Sequence, residues 1–156
     1  QPDPRDGMNL VGTIQRELHE EFLNAMCGKL LGDGMSRKVF ELPITADRWC
    51  VKFETDEGRN FQNVEEWNVW KSVENTSHAK WFAPCNWISP NGKVLIMRQT
   101  SVMRPEEYPD KVPAFFTDMK FANFGLLDGR FVAHDYGVHL IREKGLTNRM
   151  ITTHWW

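Results

Sequence analysis

An α+β fold, an antiparallel sheet with one supporting helix, is predicted for this chain by three observations. Short apolar runs alternate with turn signals: Phe124-Gly125-Leu126-Leu127 and Phe131-Val132-Ala133 flank Asp128-Gly129, a dipeptide that tolerates the positive φ of a tight hairpin turn. Val64, Trp67, Trp70 and Val73 recur at helical spacing within Phe61 to Val73. The composition is that of an ordinary globular domain, with 156 residues, 41% hydrophobic and 26% charged, and a formal net charge of −2.

That balance lacks the basic excess of a general nucleic-acid binder, and no apolar run approaches a membrane span. Cys27, Cys50 and Cys85 are scattered and odd in number, which points to reduced thiols, a cytoplasmic setting and no zinc site. Residues 1–7, QPDPRDG, read as a flexible leader or tag remnant, and residues 8–156 as one domain.

Taken in order, Leu10, Ile14, Leu18, Phe22 and Met26 form the apolar stripe of an amphipathic helix ending near Gly28. Gly32 to Phe40 reads as a hairpin with a glycine-rich turn, and Trp49 to Phe53 as an apolar strand carrying one lysine, Lys52. A lysine in such a run needs an acid. Glu65 and Glu66 on the following helix both qualify; Glu66 is preferred because Trp70, four residues on, shares its face. Lys93 to Thr100 is the next strand, and residues 101–114, with Pro105, Pro109 and Pro113, are an extended linker. The hairpin after it brings Asn123 beside Asp135, two hard oxygen donors of the kind Mg²⁺ takes.

Asp118-x-Lys120-x-x-Asn123 followed by Asp135-Tyr136-Gly137 resembles the catalytic loop and DFG segment of the protein kinase superfamily. Asn123 follows Asp118 by five positions (123 − 118), as in that family's D-x-x-x-x-N. Upstream, Gly32 to Val39 resembles the first half of G-x-G-x-x-G-x-V, with Lys38 read in place of the third glycine, and Trp49-Cys50-Val51-Lys52 resembles the V-A-I-K strand. The fold implied is a kinase-like small lobe with a large lobe reduced to catalytic loop, hairpin and Asp-Tyr-Gly segment.

The resemblance also implies roles. Gly32 and Gly34 would cover the phosphates of ATP, while Val39, Cys50, Met97 and Gln99 would border the adenine. Lys52, held by Glu66, would contact the α- and β-phosphates, and Asn123 and Asp135 would hold Mg²⁺. Asp118 would take the proton of the acceptor hydroxyl and Lys120 would steady the γ-phosphate. The partners implied are a nucleotide and a protein substrate, with no nucleic acid and no membrane; a homodimer supplying the missing lobe is compatible.

The chain departs from the family in three places. Phe116-Thr117-Asp118 lacks the histidine and arginine of H-R-D, although Phe116 fills the apolar position. Gly125 stands where a bulky residue usually supports the adenine, implying a shallow pocket. Only nineteen residues follow Gly137, too few for an activation segment. Two alternatives from other classes stay open: a nucleotide-binding or inhibitor module that acts by protein–protein interaction, suggested by seven tryptophans including Trp155 and Trp156, and an HD-type phosphohydrolase using His134, Asp135 and His78.

Overall fold

The computed structural model describes residues 21, 27–34, 36–43, 48–54, 61–139 and 141–156. The expected leader and the stripe from Leu10 to Met26 lie outside the described residues. The class is α+β. Five antiparallel strands, β1 (Leu30–Asp33), β2 (Arg37–Leu42), β3 (Trp49–Glu54), β4 (Cys85–Ile88) and β5 (Val94–Arg98), form one sheet in the order β1-β2-β3-β5-β4. β3 is therefore central, and Lys52 lies opposite Val39 on one side and Leu95 on the other.

Helix α1 (Gln62–Val73) packs across β3, β4 and β5. Its buried face differs from the predicted stripe: Asn63, Glu66, Val69 and Val73 are buried, whereas Val64, Trp67 and Trp70 are half-buried along its flank. The reason is electrostatic. Asn63 and Glu66 are turned inward because they meet buried cationic and backbone groups of the sheet. The turn between β4 and β5 fits closely beneath this helix. Gly92, at φ 74, has no room for a side chain, since a Cβ there would sit 2.6 Å from Val64 Cγ2.

Beyond the sheet, β7 (Phe124–Leu127) and β8 (Arg130–Ala133) form the predicted hairpin. Asp128 and Gly129 have φ of 51 and 77, the pair of positive values that a two-residue turn matched to strand twist requires. The expected linker is partly structured instead. Pro105–Glu107 forms a 3₁₀ turn, and β6 (Lys111–Pro113) pairs antiparallel with β9 (Met150–Thr152), after a short helix α2 (Ile141–Lys144). Proline at the last position of β6 is accommodated on a two-stranded ribbon, where every strand is an edge.

An aromatic core joins these parts. Phe82 lies 5.7 Å from Phe115, 5.5 Å from Phe116 and 5.0 Å from Tyr136, ring centre to ring centre, and Phe116 meets Phe124 at 5.2 Å. All five are buried. Gly125 has a packing role here: a Cβ would fall 2.5 Å from Thr100 Oγ1 and 2.9 Å from Ser101 O, because β7 bonds to Ser101 through Leu126. Gly125→Ala should therefore lower stability by about 1–3 kcal/mol, the usual cost of overpacking, read as a lowered urea midpoint. An unchanged midpoint would show that this contact is slack.

Candidate functional site

A cleft of about 720 Å³ opens between the sheet and the hairpin segment. Gly32, Val39, Cys50, Lys52, Gln99 and Asp135 all line it, together with Phe124 and His134. Strand alternation explains the sheet's share: Val39 and Glu41 on β2, and Cys50 and Lys52 on β3, point to the same side. Gly34, Met97, Asp118, Lys120 and Asn123 are not among the lining residues. Met97 is fully buried inside β5, where its neighbours across the ladder are Cys50 and Cys85.

Beneath the cleft lies a buried charge cluster. Lys52 Nζ donates to Glu66 Oε1 at 2.8 Å and Oε2 at 3.0 Å, and also to the backbone oxygen of His134. Asp135 Oδ1 is 3.9 Å from the same ammonium. Of the two glutamates considered from the sequence, Glu66 is the one paired with Lys52, and it has no exposed surface. The Tyr136 amide also approaches Glu66 Oε2, at 3.4 Å.

Arg37 is the member that sequence reading missed. Its guanidinium donates through Nη1 to Glu66 and to Asn63 Oδ1, and through Nη2 to Asp135 Oδ1, bridging the two acids. Counted from Gly32, the third glycine of the G-x-G-x-x-G pattern falls on Arg37 and not on Lys38. Strand alternation from Val39 gives the same answer, because Arg37 is two residues upstream and on the same face. Burial works against its charge, but Glu66 and then Asp135 outweigh that penalty and raise its pKa further. Asn63 completes the cluster by donating from Nδ2 to Lys52 O at 3.0 Å, while its amide meets Glu54.

Asp135 is the cluster's opening to solvent, with its side chain 37% exposed. Burial pushes its pKa up, but Lys52 and then Arg37 overcome that and hold it below the usual carboxylate value. Two hydrogen-bonded steps link it to Asp118. The amides of His134 and Asp135 donate to Asn123 O at 3.0 and 3.2 Å, and Asn123 Nδ2 donates to Asp118 O at 3.3 Å. Asp118 Oδ1 is buried and accepts no hydrogen bond. Lys120 does not line the cleft, and its Nζ is 5.8 Å from the centre of the Trp156 ring. That tail is held in place, since Phe121 N donates to Trp156 O and Trp156 N to Met119 O. Trp155 is packed against Phe121, Phe124 and Phe131 rather than exposed, and donates from Nε1 to Pro109 O at 2.9 Å.

Five further side chains bear on chemistry. His134 Nε2 donates to Ala122 O at 2.7 Å, so Nδ1, 2.6 Å from Thr100 Oγ1, is the lone-pair side of a neutral ring. Burial and Lys52 both lower its pKa. His134 is thus fully engaged, and His78, whose ring packs against Phe115, lines a different cavity; the set needed for an HD-type phosphohydrolase is not assembled. Cys85 and Tyr136 pair at 3.1 Å, and because the tyrosine hydroxyl donates to Ala83 O, the thiol is the donor to it. Burial pushes the Cys50 and Cys85 thiols up to about 11 and about 12, keeping both in the unreactive neutral form.

Among the described residues, no group of three or more histidine, cysteine or acidic side chains is arranged to hold a metal ion, and no helix is long and apolar enough to cross a membrane. No family model matches the sequence, and no curated protein matches it either.

Proposed function

We propose that this protein is an ATP- and Mg²⁺-dependent phosphotransferase of kinase-like build, passing the γ-phosphate to a hydroxyl on a protein acceptor. One observation carries the reading: a lysine at the centre of the sheet, backed by a fully buried glutamate, faces a cleft whose opposite wall presents an ionised aspartate. Charged groups converging on a concave, largely apolar cleft are what a site for a charged ligand such as a phosphate is built from.

In this reading the adenine enters between Val39 and Cys50 on one side and Phe124 on the other, with Gln99 at its edge. Lys52 binds the inner phosphates, and Glu66 keeps its ammonium from swinging away. The donor set for Mg²⁺ is chemically suitable, a carboxylate at Asp135 and an amide oxygen at Asn123; the ion supplies neutralisation of phosphate charge when bound. Asp118 accepts the proton of the attacking hydroxyl. Lys120 reaches the γ-phosphate only after leaving the Trp156 ring.

The second reading, a nucleotide-binding or inhibitor module, draws on the bond between Arg37 and Asp135, which already occupies an oxygen that a metal would use. Thermal unfolding with and without Mg·ATP tests the first. At about a hundredfold excess over Kd the wild type should melt roughly 5 °C or more higher. Lys52→Ala and Asp135→Ala should lose most of that shift; if both keep it, the nucleotide does not use this cleft.

A further inference from the structure

We propose that His139 is the positioning residue for Asp118, supplying to the catalytic loop, from the chain segment after Asp135-Tyr136-Gly137, the imidazole that Phe116-Thr117-Asp118 lacks. The inference rests on the phosphotransferase reading and assigns that site an additional residue.

The geometry begins with two backbone donors. The amides of Thr117 and Asp118 both point at His139 Nδ1, at 3.0 and 3.1 Å. An amide can only donate, so Nδ1 must present its lone pair and the ring proton must sit on Nε2. Two consecutive amides sharing one acceptor fix the peptide plane and with it the Asp118 Cα. That backbone placement bears on the carboxylate, whose buried Oδ1 has no hydrogen bond of its own.

The ring itself is held. It lies 4.9 Å from Phe116 and 5.7 Å from Phe124, centre to centre, and is 5% exposed. The His139 amide approaches Tyr136 O at 3.4 Å across the turn after Gly137. The acceptor also persists at neutral pH. Burial lowers the His139 pKa to about 4, although Asp118 and Asp135 pull it upward. Nε2, by contrast, is buried and finds no acceptor. A purely structural residue at this place would more economically be a phenylalanine, which fills the aromatic pocket without burying an unpaired N–H. What only an acceptor can provide is the bond to the loop.

Reach makes the role testable. Asparagine Oδ1 stands where Nδ1 stands, whereas a glutamine places its oxygen near Nε2. His139→Asn, His139→Gln and His139→Ala are compared by amide hydrogen exchange at Thr117 and Asp118, and by transfer from γ-labelled ATP with Mg²⁺ to lysate protein and to water. The alanine and glutamine variants should exchange both amides at least about tenfold faster and lose about tenfold or more in kcat, with the KM for Mg·ATP within about twofold of wild type. His139→Asn should recover both to within about threefold. The proposal is overturned if the two amides stay protected in His139→Ala, if glutamine serves as well as asparagine, or if KM moves in step with kcat. Absence of any transfer by the wild type would overturn the phosphotransferase reading instead, and the exchange pattern would then decide the His139 contact alone.

Discussion

Glu66→Ala is expected to destabilise the protein by about 3–5 kcal/mol, the scale for removing one partner of a buried ion pair. Glu66 is completely buried and is the shared partner of Lys52 and Arg37. Its loss leaves two cations beneath the sheet, with Asp135 and, for Arg37, the buried Glu54 as the remaining acids among the described residues. Asp135 pairs directly with Arg37 but is 3.9 Å from Lys52 and partly in water, so Lys52 is the cation left without a close partner. Lys52→Ala should be milder, since Arg37 still neutralises Glu66. Urea unfolding at pH 7 distinguishes these. Equal losses for Glu66→Ala and for Glu65→Ala, one position along on a half-buried side chain, would show that the cluster does not carry the energy assigned to it.

Asp118→Asn should lower phosphoryl transfer on the order of a hundredfold or more, the scale of a lost general base, while leaving the Mg·ATP melting shift intact. Asp118 does not line the cleft, and its backbone oxygen, which the substitution preserves, is the atom that bonds Asn123. In the proposed reading it therefore has no part in holding the nucleotide. An amide at this position keeps the shape and cannot take the proton. If transfer is unchanged, Asp118 is not the base; if the melting shift disappears as well, the substitution has disturbed the Asn123 and Asp135 segment and the assignment needs a different probe. The inhibitor reading is tested by Trp156→Ala, because Trp156 is 66% exposed, whereas Trp155 is part of the packing around Phe124.

Much of the sheet is legible in the sequence because its signals are local. Asp128-Gly129 dictates a turn, and Trp49 to Phe53 is too apolar for anything but a buried strand around its lysine. Helical spacing locates the helix but not its inward face. Apolar spacing selects Val64, Trp67 and Trp70, whereas the inward positions include Asn63 and Glu66, polar residues drawn in by Arg37 and Lys52. Such a face cannot be found from hydrophobic period alone. Arg37 was within reach: alternation from Val39 places it inward, and a correct count from Gly32 lands on it. The β6–β9 ribbon had no local signal, since Pro105, Pro109 and Pro113 argue for a linker and the pairing strand is far along the chain. His139 likewise belongs to no periodic pattern.

The pairing of Lys111 with Thr152 closes a chain loop of about forty residues, at an entropic cost of about 3 kcal/mol. Asp118, Asn123, Asp135 and His139 all lie inside that loop. The ribbon therefore fixes the two ends of the segment that carries them, while the β7–β8 hairpin brings Asn123 and Asp135 together within it. Weakening a ribbon residue such as Ile151, which packs against the aromatic core, would reach the site as a change in search volume: the same side chains, with the same bonds available, would spend less time in register.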